Sequence, residues 1–165
     1  MPRLIEEMSD SQIDQEIKNH RDWLAARKPY GPANKARLEE LLAARANRAG
    51  LDLEKSLQVI REAAREGRFL SYKDLADASG AEWSKVYLNV GRHLWHVVEW
   101  AHARGMPMLS AIVVNKENQK TGEMRPETLQ GFLGAAEELG RKVADGTTFL
   151  KEEQQRVFDY FRRDA

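Results

Sequence analysis

The amino-acid sequence predicts a mainly α-helical fold with a small β-sheet, and three observations carry that prediction. Apolar residues recur at three- and four-residue intervals over most of the chain, the spacing of helices that bury one face. Glycine and proline interrupt that periodicity at Pro29–Pro32, Gly50, Gly67, Gly105–Pro107 and Gly140, leaving segments of helix length between them. Only Arg68-Phe69-Leu70 and Met108–Val114 read as strands, the second because of its β-branched end. Of 165 residues, 42% are hydrophobic and 32% charged, enough for a core under a solvated surface and consistent with one domain over 1–165.

Taken in order, the first helix is expected to start near Ser9, which stands three residues before Gln12 in the spacing of a capping box. Its apolar stripe is Ile13, Ile17 and the Trp23-Leu24 pair. Lys28-Pro29-Tyr30-Gly31-Pro32 ends it, because proline cannot continue a helix and restricts the residue before it. A second helix follows from about Ala33 to Ala49, with Leu38, Leu41 and Leu42 inward and Gly50 as its stop. These two form an N-terminal helical hairpin over residues 1–50. A third helix, about Leu53 to Glu66, presents Leu53, Leu57, Ile60 and Ala64 and stops at Gly67.

Residues 51–122 are expected to contain the core unit. After the short strand at 68–70, Ser71 caps a two-turn helix, Tyr72–Ala78, with Asp74 three residues on. Ser79-Gly80 makes a tight turn, and one long helix is expected from Glu82 to Ala103. Short helix, glycine-containing turn and longer helix is the order of a helix-turn-helix. Met108–Val114 is then a buried strand and Asn115–Gly122 a polar loop or wing, which completes a winged helix-turn-helix core. The C-terminal helices occupy 123–165. Pro126 opens one of them, with Leu129, Phe132, Leu133, Ala136 and Leu139 on one side and Gly140 at its end. The last carries Leu150, Val157, Phe158 and Phe161.

The central segment resembles the winged-helix domain of the DNA alkyltransferases and alkyltransferase-like proteins, over about residues 57–115. The run Gly67-Arg68-Phe69-Leu70-Ser71-Tyr72-Lys73-Asp74-Leu75-Ala76 is similar to that family's glycine-arginine, threonine-tyrosine, leucine-alanine pattern. Val90-Gly91 followed by Leu94 is similar to its valine-glycine-x-x-leucine on the DNA-facing helix. Pro107 leading into Ile112-Val113-Val114 stands where the family has its proline-cysteine-histidine-arginine strand. The resemblance implies a DNA partner met through the long helix. The chain departs from the pattern at the chemistry: the alkyl-accepting cysteine is absent, with Met108 or Ser110 nearby instead, and so are the histidine and arginine that follow it. Alkyl transfer needs a thiolate, so that activity is excluded. Leu88 replaces the arginine that fills the gap left by a flipped base, although an apolar wedge can also enter a base step.

The complete absence of cysteine excludes disulfides, thiolate metal sites and cysteine nucleophiles. No stretch approaches the roughly 18 apolar residues of a membrane span. Met1-Pro2-Arg3-Leu4-Ile5-Glu6-Glu7 lacks the apolar core of a signal peptide, so the expected location is cytoplasmic with no membrane partner. With 26 basic and 26 acidic residues, any phosphate contact has to come from a local patch.

On the Glu82–Ala103 segment, Val86, Val90, Leu94, Val97 and Ala101 make a core stripe. The nucleic-acid-binding candidates are Tyr72, Lys85, Leu88, Asn89, Arg92 and His93. Lysine and arginine neutralise phosphates, asparagine and arginine pair with base edges, and Tyr72 at a helix start meets a phosphate. Trp83 or Tyr87, if exposed, offers a ring on which a base can stack. His93, His96, Glu99 and His102 recur at three-residue intervals, but at ~100° per residue they fan over half the helix, so one ion cannot collect them. They are expected to be hydrogen-bonded packing residues, with no metal and no cofactor. Ser110 has no nucleophile elbow, and the glycines form neither a P-loop nor a dinucleotide fingerprint, so no catalytic residue is assigned. The leading expectation is a non-catalytic nucleic-acid-binding module acting in DNA repair, modification or defence. Two alternatives stand beside it. One is a protein-interaction or dimerisation domain gripping its partner with the N-terminal hairpin and C-terminal aromatic helix. The other is an enzyme using the histidine helix with Glu99.

Overall fold

The computed structural model describes residues 3–163, and among them the chain is mainly helical around one two-stranded sheet. The elements are α1 (Asp10–Ala25), α2 (Pro32–Ala46), α3 (Leu53–Glu66), β1 (Leu70–Ser71), α4 (Tyr72–Ala78), α5 (Trp83–Val86), α6 (Val90–Ala103), β2 (Val113–Val114), α7 (Pro126–Glu138) and α8 (Gly146–Arg163). None of the described helices is long and apolar enough to cross a membrane.

Local chemistry sets most of the helix ends. Ser9 and Gln12 form a reciprocal capping box at the start of α1, and Ser71 and Asp74 form another at α4, each satisfying two otherwise orphaned N–H groups. Asp52 caps α3, and Gly67 ends it at φ +69°, a left-handed conformation in which glycine carries no Cβ penalty. Pro126 is the first residue of α7, where its missing N–H costs nothing. Helix α2 stops at Ala46, a turn earlier than Gly50 suggests, because Asn47 caps it and its side chain already accepts from Leu53 N–H at 2.7 Å.

Two expected elements are broken. The single helix Glu82–Ala103 is instead α5 and α6, separated by a turn at residues 87–89. There Asn89 N–H donates to Val86 O at 2.7 Å, an i→i−3 bond that tightens the coil. Val86 and Val90 stay buried on either side, so apolar periodicity runs through the break unaltered. The expected strand Met108–Val114 is a 3-10 turn over Leu109–Ile112 followed by only two strand residues. The first strand is likewise Leu70–Ser71 rather than Arg68–Leu70. The strands pair in parallel, Leu70 opposite Val113 and Ser71 opposite Val114. Asn115–Gly122 holds a 3-10 turn at Lys116–Asn118 and no strand, so the segment expected as a wing is a compact loop.

Helix α2 lies between α1 and α6, α3 packs on α8 and α4, and the Leu109–Ile112 turn fits between α6 and α8. The main core gathers Ile60, Leu70, Leu75, Val97, Leu109 and Ile112, all fully buried. Ile13, Ile17, Leu38, Leu41 and Leu42 form a smaller cluster inside the α1–α2 hairpin, and Trp100 packs against both cores. Trp23 and Leu24, expected in the α1 stripe, are instead 42% and 45% exposed; His20 takes the inward position one turn earlier.

Buried polar side chains of α8 anchor the chain between α6 and α7. Glu153 accepts Met108 N–H at 2.9 Å and a bidentate pair of bonds from Arg141 at 2.8 and 3.0 Å. Gln154 donates to the carbonyls of Ala111 and Gly122 at 3.0 and 2.8 Å. These bonds satisfy buried backbone groups of the 3-10 turn before β2 and of the loop after it.

Candidate functional site

The α5–α6 turn carries the most exposed large apolar side chain of the described residues, with two aromatic companions beside it. Leu88 is 80% exposed, Tyr87 52% and Trp83 37%, and the two rings lie 6.2 Å apart at a tilt. This grouping is unusual for a chain whose other large side chains are mostly inward, and contiguous exposed apolar surface marks a contact site. At the break, Leu88 lies outward with Tyr87 while Val86 and Val90 stay in the core.

Charge sits beside this tip. Lys85 is three-quarters exposed and 3.5 Å from Glu82 across one helical turn, and Arg92 is exposed on the first turn of α6. Asn89 is exposed at the start of α6, and its side chain makes no capping bond. Lys85, Asn89 and Arg92 therefore border one turn, but they do not form the strip along a single helix that their spacing suggests. His93 does not belong to the surface at all. It is 3% exposed, with Nδ1 2.6 Å from Ala46 O and Nε2 2.8 Å from Ser56 Oγ. The carbonyl can only accept, so Nδ1–H donates to it and Nε2 accepts the Ser56 hydroxyl. This serine–histidine pair is a buried lock between α3, α6 and the end of α2, out of reach of any substrate.

Below the tip, a cleft of about 530 Å³ opens between α6 and α7. Tyr72 at the start of α4 lines one end, half-buried, with burial raising the pKa of its hydroxyl. Gly91 and Trp95 contribute from α6, and Gly131, Gly134 and Glu138 from α7. A Cβ added at Gly91, Gly131 or Gly134 would meet nothing within 4 Å. Glycine inside a helix costs roughly 0.5–1 kcal/mol relative to alanine, and here no packing neighbour demands it. The three glycines leave bare backbone on the cleft walls. Sequence reasoning did not single out this cleft; the signal available to it was the pair of glycines three residues apart inside the α7 periodicity.

Of the remaining members of the histidine series, His96 and Glu99 face the hairpin. His96 is 7% exposed and neither ring nitrogen has a hydrogen-bond partner; Nδ1 lies 3.4 Å from the Glu99 carboxylate without hydrogen-bond geometry. Burial, followed by the positive charge of Arg45, pushes its pKa down to about 4. Glu99 is buried and ion-paired to Arg21, whose guanidinium also lies over the Trp95 ring. The expectation of hydrogen-bonded packing thus describes His93 but not His96. His102 is exposed at the far end of α6, and no three His, Asp or Glu side chains among the described residues converge on a common point.

Comparison with family models, with curated proteins and with solved structures returns no match.

Proposed function

We propose that the chain is a non-catalytic nucleic-acid-binding module that meets its ligand through the α4–α5–α6 face, a helix-turn-helix in which α4 supports the tip that α5 and α6 present. The observation that carries this reading is the exposed Trp83–Tyr87–Leu88 tip, flanked by Lys85 and Arg92 and set above a cleft walled by bare helical backbone. Apolar side chains at such a tip wedge between base steps, while aromatic rings stack on exposed bases of any sequence. Lys85 and Arg92 neutralise the adjoining phosphates. Glu127 and Glu138 on the α7 wall of the cleft are acceptors for exocyclic amino groups rather than partners for phosphate. DNA is the partner implied by the resemblance of residues 57–115 to the alkyltransferase-like proteins, and the role is recognition within DNA repair, modification or defence.

So sparse a cationic patch gives modest affinity. Binding of labelled single-stranded, duplex and mismatched DNA and of RNA, followed by anisotropy, should weaken with a log K–log salt slope of about −2 to −4. Changing Lys85 and Arg92 together to alanine should flatten that slope without unfolding the chain, since both are exposed. Leu88→Ser should weaken binding to mismatched duplex more than to single strand, because a wedge acts only where a stack must be opened. If the wild type binds none of these ligands near 20 mM salt, about the lowest practical screening, the reading fails. The tip is then a protein-docking surface of the kind expected for an interaction domain.

A further inference from the structure

At the opposite end of α6 from the tip, a second cleft of about 440 Å³ lies between the α6 C-terminus and α8. From Gly91 to His102 is eleven helical residues, about 16 Å, so the two clefts are separate places on the molecule. The second is cationic in a chain whose total charge is zero. Arg141, Arg156 and Arg163 line it together with His102, Tyr160 and a single lining carboxylate, Asp159.

The arginines are not simply neutralised. Behind the wall, the buried carboxylate of Glu153 serves two of them at once, Arg141 at 2.8 Å and Arg156 at 3.5 Å, so one negative charge is divided between two guanidiniums. Arg163 makes no ion pair with any described residue. Glu153 also fixes the Arg141 fork in place, and a guanidinium held in this way loses little freedom on meeting an oxyanion. Arg156 is 63% exposed and two helical turns, about 10 Å, before Arg163 on α8. Tyr160 lies between them along the helix. His102 registers the positive field: burial first, then the charge of Arg141, lowers its pKa. The remaining lining, Gly105, Met106 and Pro107 together with the Tyr160 ring, is apolar or aromatic.

We propose that this cleft binds a phosphate monoester carried on a planar base, that is, a mononucleotide or the phosphorylated end of a strand. Arg156 and Arg163 take the phosphate while Tyr160, Met106 and Pro107 take the base. Small-molecule sites of 300–1,000 Å³ with a few convergent polar groups are of this size, and guanidiniums paired with an aromatic wall match phosphate and base together.

The test is a chemical-shift titration of the isotope-labelled full chain with AMP, inorganic pyrophosphate and adenosine. AMP and pyrophosphate should shift amides of residues 102–107 and 156–163, and adenosine should not at equal concentration. Arg156→Gln with Arg163→Gln should weaken AMP at least about tenfold, because each lost charge-assisted bond is worth about that factor. Arg61→Gln, an exposed change elsewhere, should leave it unaltered. Displacement of AMP by a 5′-phosphorylated tetranucleotide, and not by its 5′-hydroxyl form, assigns the phosphate to a strand end; failure to displace assigns it to the free nucleotide. No shift at 10 mM AMP or pyrophosphate, a concentration at the weak end of specific binding (roughly millimolar), overturns the proposal. So does a response to adenosine equal to that to AMP, or unchanged affinity in the double variant. Because Lys85, Leu88 and Arg92 play no part here, the outcome is independent of whether the α4–α5–α6 face binds nucleic acid.

Discussion

Helix α6 is clasped on one side by the α1–α2 hairpin and on the other by α3, α4 and the Leu109–Ile112 turn, and the two grips differ in kind. The second is apolar: Val90, Val97 and Val98 of α6 meet Ile60, Leu75 and Ile112 in a core without titratable groups at its centre. The first is a seam of polar and charged side chains. Besides His93, His96 and Glu99, it includes Arg45, which is 7% exposed and donates to Asp14 at 2.7 Å, and Arg21, which reaches across to Glu99. Hairpin and body share apolar contact through small side chains, Ala43 and Ala46 of α2 against the main core and Ala103 of α6 against the hairpin cluster, together with Trp100. Burial of hydrocarbon holds the central core irrespective of pH, whereas the seam holds only in one set of protonation states and hydrogen bonds. The hairpin is thus the part of the molecule whose attachment is conditional.

The largest effect that tests this contrast comes from the cores themselves. Ile60→Ala in the main core and Leu41→Ala in the hairpin cluster each remove a fully buried side chain and should cost about 2–5 kcal/mol. They should differ in what they release. Ile60→Ala should lower amide protection throughout, whereas Leu41→Ala should lower it in α1 and α2 and spare α3 to α8, since local units open separately when their own contacts are lost. Equal loss of protection across the chain in both variants would show that the seam transmits stability as well as an apolar core does.

The next effect is acid. His96 is neutral in the folded protein, with a pKa of about 4, while an unfolded histidine titrates near its ordinary value of 6.5. Below 6.5 the unfolded chain therefore binds a proton that the folded chain refuses. Stability falls as pH drops through the window from 6.5 to 4, by about 2 kcal/mol at pH 5 and about 3 at pH 4. His20, His93 and His102 are shifted the same way, so the wild-type curve is steeper still. Denaturant melts of the wild type and His96→Leu between pH 7.5 and 5 isolate the His96 share, and the difference between the two should grow by about 2 kcal/mol towards pH 5. Parallel curves would mean that the buried ring is not held neutral.

The smallest effect concerns the lock. Ser56→Ala deletes the donor to His93 Nε2 and leaves a buried acceptor unsatisfied, at a cost of about 1–3 kcal/mol. Changing Ser56 to threonine keeps the hydroxyl, and should recover part of the bond if its extra methyl is accommodated. A loss below about 0.5 kcal/mol, the size of an ordinary surface change, would show that the pair contributes no more than that.

The α5–α6 tip shows where sequence reasoning succeeded and where it stopped. Lys85 and Arg92 were legible as exposable side chains because at ~100° per residue they fall opposite the Val86–Val90–Leu94–Val97 stripe, whereas Trp83 falls on the stripe and its exposure was not legible. The exposure of Leu88 was legible in the same way as that of Lys85, since it too lies opposite the stripe, and the inward turn of His93 was not legible at all. A histidine one position before a core leucine is placed by the partner available to it, and the Ala46 carbonyl and Ser56 hydroxyl come from segments 47 and 37 residues away.

The sequence by itself determined the helical class, the hairpin, the capping boxes at Ser9 and Ser71, the stop at Gly67 and the start at Pro126. The caps, the stop and the start are each set within four residues, and such local contacts depend on the backbone and on neighbours the chain always has. The class and the hairpin follow from the periodicity and the Pro29–Pro32 break between two such segments. Tertiary structure decided the break at 87–89, the collapse of Leu109–Ile112 into a 3-10 turn, the exposure of Trp23 and Leu24, and the seam of His96, Glu99 and Arg21. Those depend on which distant surface arrives. The 3-10 turn at Leu109–Ile112, for example, starts from Met108, whose N–H is taken by Glu153 of α8, 45 residues away, and not by a neighbouring strand.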